Sequence, residues 1–312
     1  MTGLAAGLVS SLLILMAESG AQTQAPVFQT SSQLVLVPVT VTDRYAKNIE
    51  GLHAEDFVVY DNQFPRRIAS FGVDDAPSSV GIVLDISGSM HQALAGARGL
   101  LHAFFGTSNP ADEFQLLTVS TQPEELSHFT TDTASLEDTV DRTRTGGLTS
   151  LIDTTYLALK RMKAAHQPRR ALLILSDGVD NHSRISQGEL ISLALEADVQ
   201  VYSMIFNTGA QAANGVPFAP ALVAKPWQVA RDRQGPDFLE KLSDKTGGLY
   251  FHVRSDDEAR DAVVRTARAL RSEYLIGFQP SDTKDPGKFH QIRVKTNVPK
   301  LYVHARNGYY AR

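Results

Sequence analysis

Ten residues, Gly81 to Met90, constrain this chain more than any other stretch; they read Gly-Ile-Val-Leu-Asp-Ile-Ser-Gly-Ser-Met. Ile82, Val83 and Leu84 form the apolar run expected of a strand buried on both faces, and the run stops at Asp85. Ser87, Gly88 and Ser89 then turn the chain, with Gly88 read as the residue that gives a tight turn its freedom. Because Asp85, Ser87 and Ser89 alternate, one strand end can aim a carboxylate and two hydroxyls at a common point. All-oxygen donors suit a hard divalent cation, Mg2+ or Ca2+. A second reading stays open on these residues alone: a serine caps the next helix while Asp85 accepts from nearby backbone N–H groups.

The 312 residues, 43% hydrophobic and 21% charged, describe an ordinary globular chain of one large or two ordinary domains. A formal net charge of -4 gives no electrostatic case for nucleic acid. The absence of cysteine excludes disulfides, thiolate zinc sites, iron–sulfur clusters and thiol catalysis together. Leu4 to Ala17 is apolar but short for a bilayer span, and Glu18 and the small residues Ser19-Gly20-Ala21 follow it. Residues 1–21 therefore read as a signal peptide with the mature chain starting at Gln22, although no Lys or Arg precedes the apolar stretch. The expectation is a secreted, periplasmic or cell-envelope protein with no membrane span after signal removal.

Leu34 to Thr42 alternates, with Val35, Val37, Val39 and Val41 on one face, and Pro38 predicts an edge or a bulge. Glu55 to Tyr60, a turn at Asp61-Asn62-Gln63, and Arg67 to Phe71 read as a hairpin. From Ser79 strands alternate with helices, the pattern of a parallel sheet covered on both faces. Ala171 to Leu175 is the next strongly apolar strand, and it too ends in a carboxylate turn, Ser176-Asp177-Gly178. Asp85 and Asp177 thus fall at the carboxyl edge of one sheet, where open α/β sheets form binding sites. Val199 to Phe206 predicts a strand, Asn207 to Gly235 a long aperiodic loop holding Trp227, and Pro236 the start of a helix that Gly247-Gly248 ends. The helix Asp256 to Arg271 carries arginines offset by acidic neighbours. Strand patterns return at Tyr274 to Phe278, Gln291 to Thr296 and Leu301 to Arg306, with a turn at Asp285-Pro286-Gly287. These readings give an α/β fold: a doubly wound, mostly parallel sheet at 76–272, inserted into a small β-sandwich formed by 26–75 and 273–312.

With those residues in place the chain resembles a von Willebrand factor A-type domain, and its midline resembles that family's metal-ion-dependent adhesion site. The family pattern is an Asp-x-Ser-x-Ser loop, a distant Thr and a distant Asp-Gly turn. Here these are Asp85, Ser87 and Ser89, then Thr149 in Gly146-Gly147-Leu148-Thr149, then Asp177 in Ser176-Asp177-Gly178. The resemblance implies that the hydroxyls of Ser87, Ser89 and Thr149 contact a Mg2+, Ca2+ or Mn2+ ion, with the aspartates binding directly or through water. Val39-Thr40-Val41-Thr42-Asp43, Glu55-Asp56-Phe57, Tyr274-Leu275-Ile276-Gly277-Phe278 and Arg306-Asn307-Gly308-Tyr309-Tyr310 are similar to the flanks of the bacterial "VWFA-related" proteins known from Acidobacteria. That family often has glycine near position 46, where this chain has Tyr45-Ala46-Lys47.

The leading functional expectation is a non-catalytic, metal-dependent protein-binding module that captures an Asp or Glu of a partner. Trp227 and His91 are its candidate partner contacts; Trp227 packing its own loop, and His91 as an ordinary surface histidine, are the competing readings. A structural envelope component with a stabilising metal is the alternative. A metal-assisted hydrolase, with His91 or His182 as base, is the third reading. It lacks a Gly-x-Ser-x-Gly elbow, a His-Glu-x-x-His pair or a Gly-x-x-x-x-Gly-Lys loop.

Overall fold

In a computed structural model of the chain, residues 34–208, 226–271, 273–280 and 287–311 are described. The expected signal peptide, 1–21, lies outside them, as do most of the segment preceding Trp227 and residues 285–286 of the expected turn. The alternating valines make β1 (Val35–Thr42), in which Val37, Val39 and Val41 are buried. Ala46 takes a left-handed φ of 56° in the turn that follows, the conformation glycine adopts most easily. β2 (Phe57–Asp61) and β3 (Phe64–Arg66) form a tight hairpin around Asn62 and Gln63, both at positive φ.

The expected second arm of that hairpin, Arg67 to Phe71, does not pair with β2. The chain leaves the sheet at Arg67, and β4 (Ile68–Asp74) joins a different sheet. The split lets Phe57 and Phe71 enter one core from opposite sides, their ring centroids 5.7 Å apart.

The α/β part runs β5 (Ser78–Asp85), α1 (Leu94–Thr107), β6 (Glu113–Val119), β7 (Glu124–Glu125), α2 (Thr133–Arg142) and α3 (Leu151–Arg161). It continues through β8 (Arg169–Ser176), α4 (Gln187–Ala197), β9 (Gln200–Phe206), α5 (Pro226–Thr246), β10 (Tyr250–Val253) and α6 (Asp256–Arg271). The strand order is β10-β9-β8-β5-β6-β7, and every pair is parallel except β6 with β7. All eight residues of β5 are buried, as a central strand covered by helices on both faces requires. Successive side chains alternate between two cores: Ile82 and Leu84 pack toward α1, α2 and α6, while Val83 packs toward α3, α4 and α5. Removing such a side chain, as in Leu173→Ala, costs about 2–5 kcal/mol.

α5 corrects the expected helix start. It begins at Pro226, and Pro236 lies inside it. Proline favours the first helical turn, so Pro236 read as the start, but it only removes one internal hydrogen bond from a longer helix. Trp227 therefore sits on α5; its side chain lies outside the described part.

After α6 come β11 (Glu273–Phe278), β12 (Phe289–Thr296), β13 (Tyr302–Ala305) and β14 (Gly308–Tyr310). They interleave with the first strands in two four-stranded sheets, β13-β1-β11-β4 and β14-β12-β2-β3. Val37, Val39, Tyr274 and Ile276 of one sheet share a core with Phe57, Val59, Ile292 and Val294 of the other. β1 is an inner strand, contrary to the edge reading of Pro38, but the edge is local: β1 pairs with β13 only from Val39 onward. Pro38 thus sits where one flank has no partner strand, as a residue without an N–H tolerates. These elements belong to one compact unit, Gln33–Arg312, and no helix among the described residues is long and apolar enough to cross a membrane.

Candidate metal centre

Three loops meet at the carboxyl edge of the central sheet. β5 ends at Asp85, which is fully buried, and a short 3-10 turn, Gly88–Gln92, separates it from α1. Asp85 Oδ1 accepts from Ser87 N–H at 2.8 Å, and Oδ2 accepts from the Ser176 hydroxyl at 2.5 Å. Ser87 occupies the N-cap position of the 3-10 turn, yet its hydroxyl makes no capping bond. Its Oγ lies instead 3.2 Å from Ser89 Oγ. Of the capping reading of this loop, the backbone contact of Asp85 is present and a cap by Ser87 is not.

The second loop, 145–150, is stitched to the first. Gly146 N–H donates to Ile86 O at 2.8 Å and Gly88 N–H to Gly147 O at 3.4 Å. Gly147 has φ +82°, and a Cβ there would lie 2.7 Å from Thr121 Oγ1. The glycine requirement falls on Gly147 rather than on Gly88, which has no positive φ and whose added Cβ would meet only ordinary contacts. Thr149 is buried; its carbonyl accepts from Asn181 and His182 N–H, and its own N–H donates to Asn181 Oδ1 at 3.0 Å. His91 is exposed, with Nδ1 3.0 Å from Thr145 Oγ1.

The third loop leaves β8 at Asp177, which is buried. Asp177 Oδ1 accepts from Val179 N–H at 3.1 Å and Oδ2 from the Thr208 hydroxyl at 2.7 Å. Gly178 follows at φ +81°. Asp180 then accepts from Ile152 N–H at 2.8 Å, capping the start of α3 through a side chain from another loop. Ser176, Thr208 and Asn181 were not singled out by sequence reasoning. Ser176 adjoins a recognised aspartate, but Thr208 is 31 residues from Asp177 in sequence and leaves no local signal.

Among the described residues no Lys or Arg side chain pairs with Asp85 or Asp177. Burial and the neighbouring Asp177 push the Asp85 carboxyl up to about 7, against the hydrogen bonds from Ser176 and Ser87. Each oxygen of Asp85 and Asp177 accepts one hydrogen bond from the described residues, which leaves a lone pair on each for another ligand. Among the described residues no three His, Cys, Asp or Glu side chains cluster as a metal site. Two carboxylates beside hydroxyls are hard oxygen donors, the kind that a divalent cation takes.

Residues 80–179 match the family model of the von Willebrand factor type A domain. An uncharacterized protein of Borreliella burgdorferi is 31% identical over 101 residues, a match spanning 32% of this chain and 29% of that protein. Among solved structures, a von Willebrand factor type A protein of Catenulispora acidiphila aligns over 91% of this chain and 75% of its own, with 12% identity and a TM-score of 0.48. The protein BatB of Bacteroides thetaiotaomicron aligns over 62% of this chain and 100% of its own, with 19% identity and a TM-score of 0.46. The stretch from β5 through the Asp177 turn, with the Asp-x-Ser-x-Ser loop inside it, is thus the part of this chain that is similar to the von Willebrand factor type A domain.

Proposed function

We propose that Asp85, Ser87, Ser89, Thr149 and Asp177 hold a divalent cation, Mg2+ or else Ca2+ or Mn2+, and that the bound ion captures an Asp or Glu carboxylate of a partner protein. The observation that carries this reading is the close approach of two buried carboxylates with no cationic side chain bonded to either among the described residues. A cation offsets that repulsion, and with only two anionic ligands it retains the electrophilicity to take a third from outside. The chain's own part is positioning: Ser176 and Thr208 fix the carboxylates, and the 145–150 loop carries Thr149. Leu148, 49% exposed beside Thr149, offers a partner an apolar contact at the rim. His91, on the turn after Ser89, is a further rim contact.

The module is read as non-catalytic, acting in adhesion or scaffolding at the cell envelope or outside it; the apolar stretch Leu4 to Ala17 supports that location. Residues 76–272 form the binding domain, and 26–75 with 273–312 the sandwich that carries it. The test is capture of envelope proteins on the immobilised chain in Mg2+ and in chelator. Asp85→Ala and Asp177→Ala should abolish the Mg2+-dependent fraction while keeping the native circular dichroism; a variant that retains the same metal-dependent partner overturns the reading.

A further inference from the structure

The loop between β1 and β2 arches over α6 and encloses a cleft of about 280 Å³. Asp43 fixes the arch: its Oδ1 accepts from Tyr45 N–H at 2.8 Å and Lys47 N–H at 3.0 Å. Arg265 of α6 donates to the Tyr45 carbonyl, and the Arg44 guanidinium lies over the Tyr45 ring, 4.5 Å from its centre. The arch is therefore held from below and from the side.

Asn48 lines this cleft, and its side-chain Nδ2 and Oδ1 are both buried with no hydrogen-bond partner among the described residues. Native proteins satisfy nearly all buried polar side-chain atoms, and each one left alone costs about 1–3 kcal/mol. An amide presents a donor and an acceptor side by side, and a peptide unit answers both in one plane. The charges around it are also uneven. Asp261 pairs with Arg265, and Asp43 is engaged by two N–H groups and by the charges of Lys47 and Arg265, whereas Arg268 has no ion pair among the described residues. At the rim Tyr45 is 61% exposed and Val264 39% exposed, an aromatic and an aliphatic surface flanking the polar floor.

We infer that this cleft is a second binding site, independent of the metal centre, for an extended segment of a partner protein that carries an Asp or Glu beside an apolar residue. The Asn48 amide pairs with the segment's backbone, Arg268 with its carboxylate, and Tyr45 and Val264 with its apolar side chain. None of these residues belongs to the three loops that meet at Asp85, Thr149 and Asp177.

The experiment is a titration of the full chain, followed by NMR at the Asn48 side-chain NH2, with N-acetyl-aspartate N-methylamide as probe. A saturable shift is expected, with affinity falling about tenfold in Asn48→Ala and a few-fold in Arg268→Gln, an exposed position that leaves folding intact. The uncharged N-acetyl-asparagine N-methylamide should bind more weakly to wild type and no differently to Arg268→Gln. Asp85→Ala should bind the probe as wild type does, so this site and the metal reading fail separately. Absence of a saturable shift at Asn48, affinity unchanged in both cleft variants, or loss of binding in Asp85→Ala would each overturn the inference.

Discussion

The backbones of Gly178 and Gly235 touch: a Cβ on Gly235 would lie 1.8 Å from the Gly178 carbonyl oxygen, and one on Gly178 would lie 2.7 Å from Gly235 C. The turn that carries Asp177 thus rests directly on α5, with no side chain between them. At the other end of the same helix Gly247, at φ +84°, packs on the backbone of Ala305 and Arg306. One helix links the Asp177 turn to the sandwich at two points where only glycine fits.

Gly235→Ala should therefore separate the Asp177 turn from α5. The expected cost is about 1–3 kcal/mol in urea unfolding, together with weaker divalent-metal binding. Native stability with native metal affinity in this variant would show that the contact is not tight.

Thr208→Val removes the hydroxyl that holds Asp177 Oδ2 and keeps the side-chain volume. If Thr208 orients a metal ligand, metal affinity falls by about tenfold while the unfolding midpoint changes little, as for other residues that position ligands. Unchanged affinity in calorimetry would remove Thr208 from the site.

Arg306 joins the two parts of the fold. Its Nη1 pairs with Asp198, the left-handed cap of α4, its Nη2 donates to Leu36 O at 2.7 Å, and its side chain is 9% exposed. Arg306→Ala should cost about 1–3 kcal/mol, chiefly because it unpairs a strand carbonyl and removes a buried side chain, since Asp198 is 43% exposed and keeps its water. A double-mutant cycle with Asp198→Ala should recover part of that cost, and additive effects would contradict the pairing.

Glu113 predicts the acid limb. Burial raises its carboxyl, but bonds from the Ser79 hydroxyl at 2.5 Å and from His166 N–H at 2.7 Å, with His166 Nδ1 at 2.9 Å, outweigh that and hold it below the ordinary glutamate value. A group depressed on folding adds stability above its unfolded pKa and loses it as pH falls through the folded one. Stability should drop on acidification through the carboxylate range. Glu113→Gln should be less stable at neutral pH and show a shallower acid limb; parallel pH profiles for both proteins would exclude this role.

What could be read from the sequence follows from how local the physics is. β5 and β8 are runs buried on both faces, so apolar continuity alone locates them and places Asp85 and Asp177 at one edge. The split at Arg67 and the partners of Pro38 depend on which strands from the far end of the chain arrive beside them, and no local pattern encodes that. Pro236 misplaced a helix start because one lost hydrogen bond is tolerated inside a helix of 21 residues. Gly88 and Gly147 are indistinguishable as letters; the positive φ and the approach of Thr121 make Gly147 the one that must be glycine. Thr208 reaches Asp177 through the geometry of adjacent strands, which sequence separation conceals.

The central claim is that these loops form a divalent-metal site, and calorimetric titration of Mg2+, Ca2+ and Mn2+ into the chain from Gln22, beside Asp85→Ala, tests it most directly. The account predicts one saturable site in wild type, extending into the millimolar range because two carboxylates and three hydroxyls bind a hard cation weakly without a third anion, and no site in the variant. Heats that are equal in the two proteins, or absent in both up to that range, would contradict it.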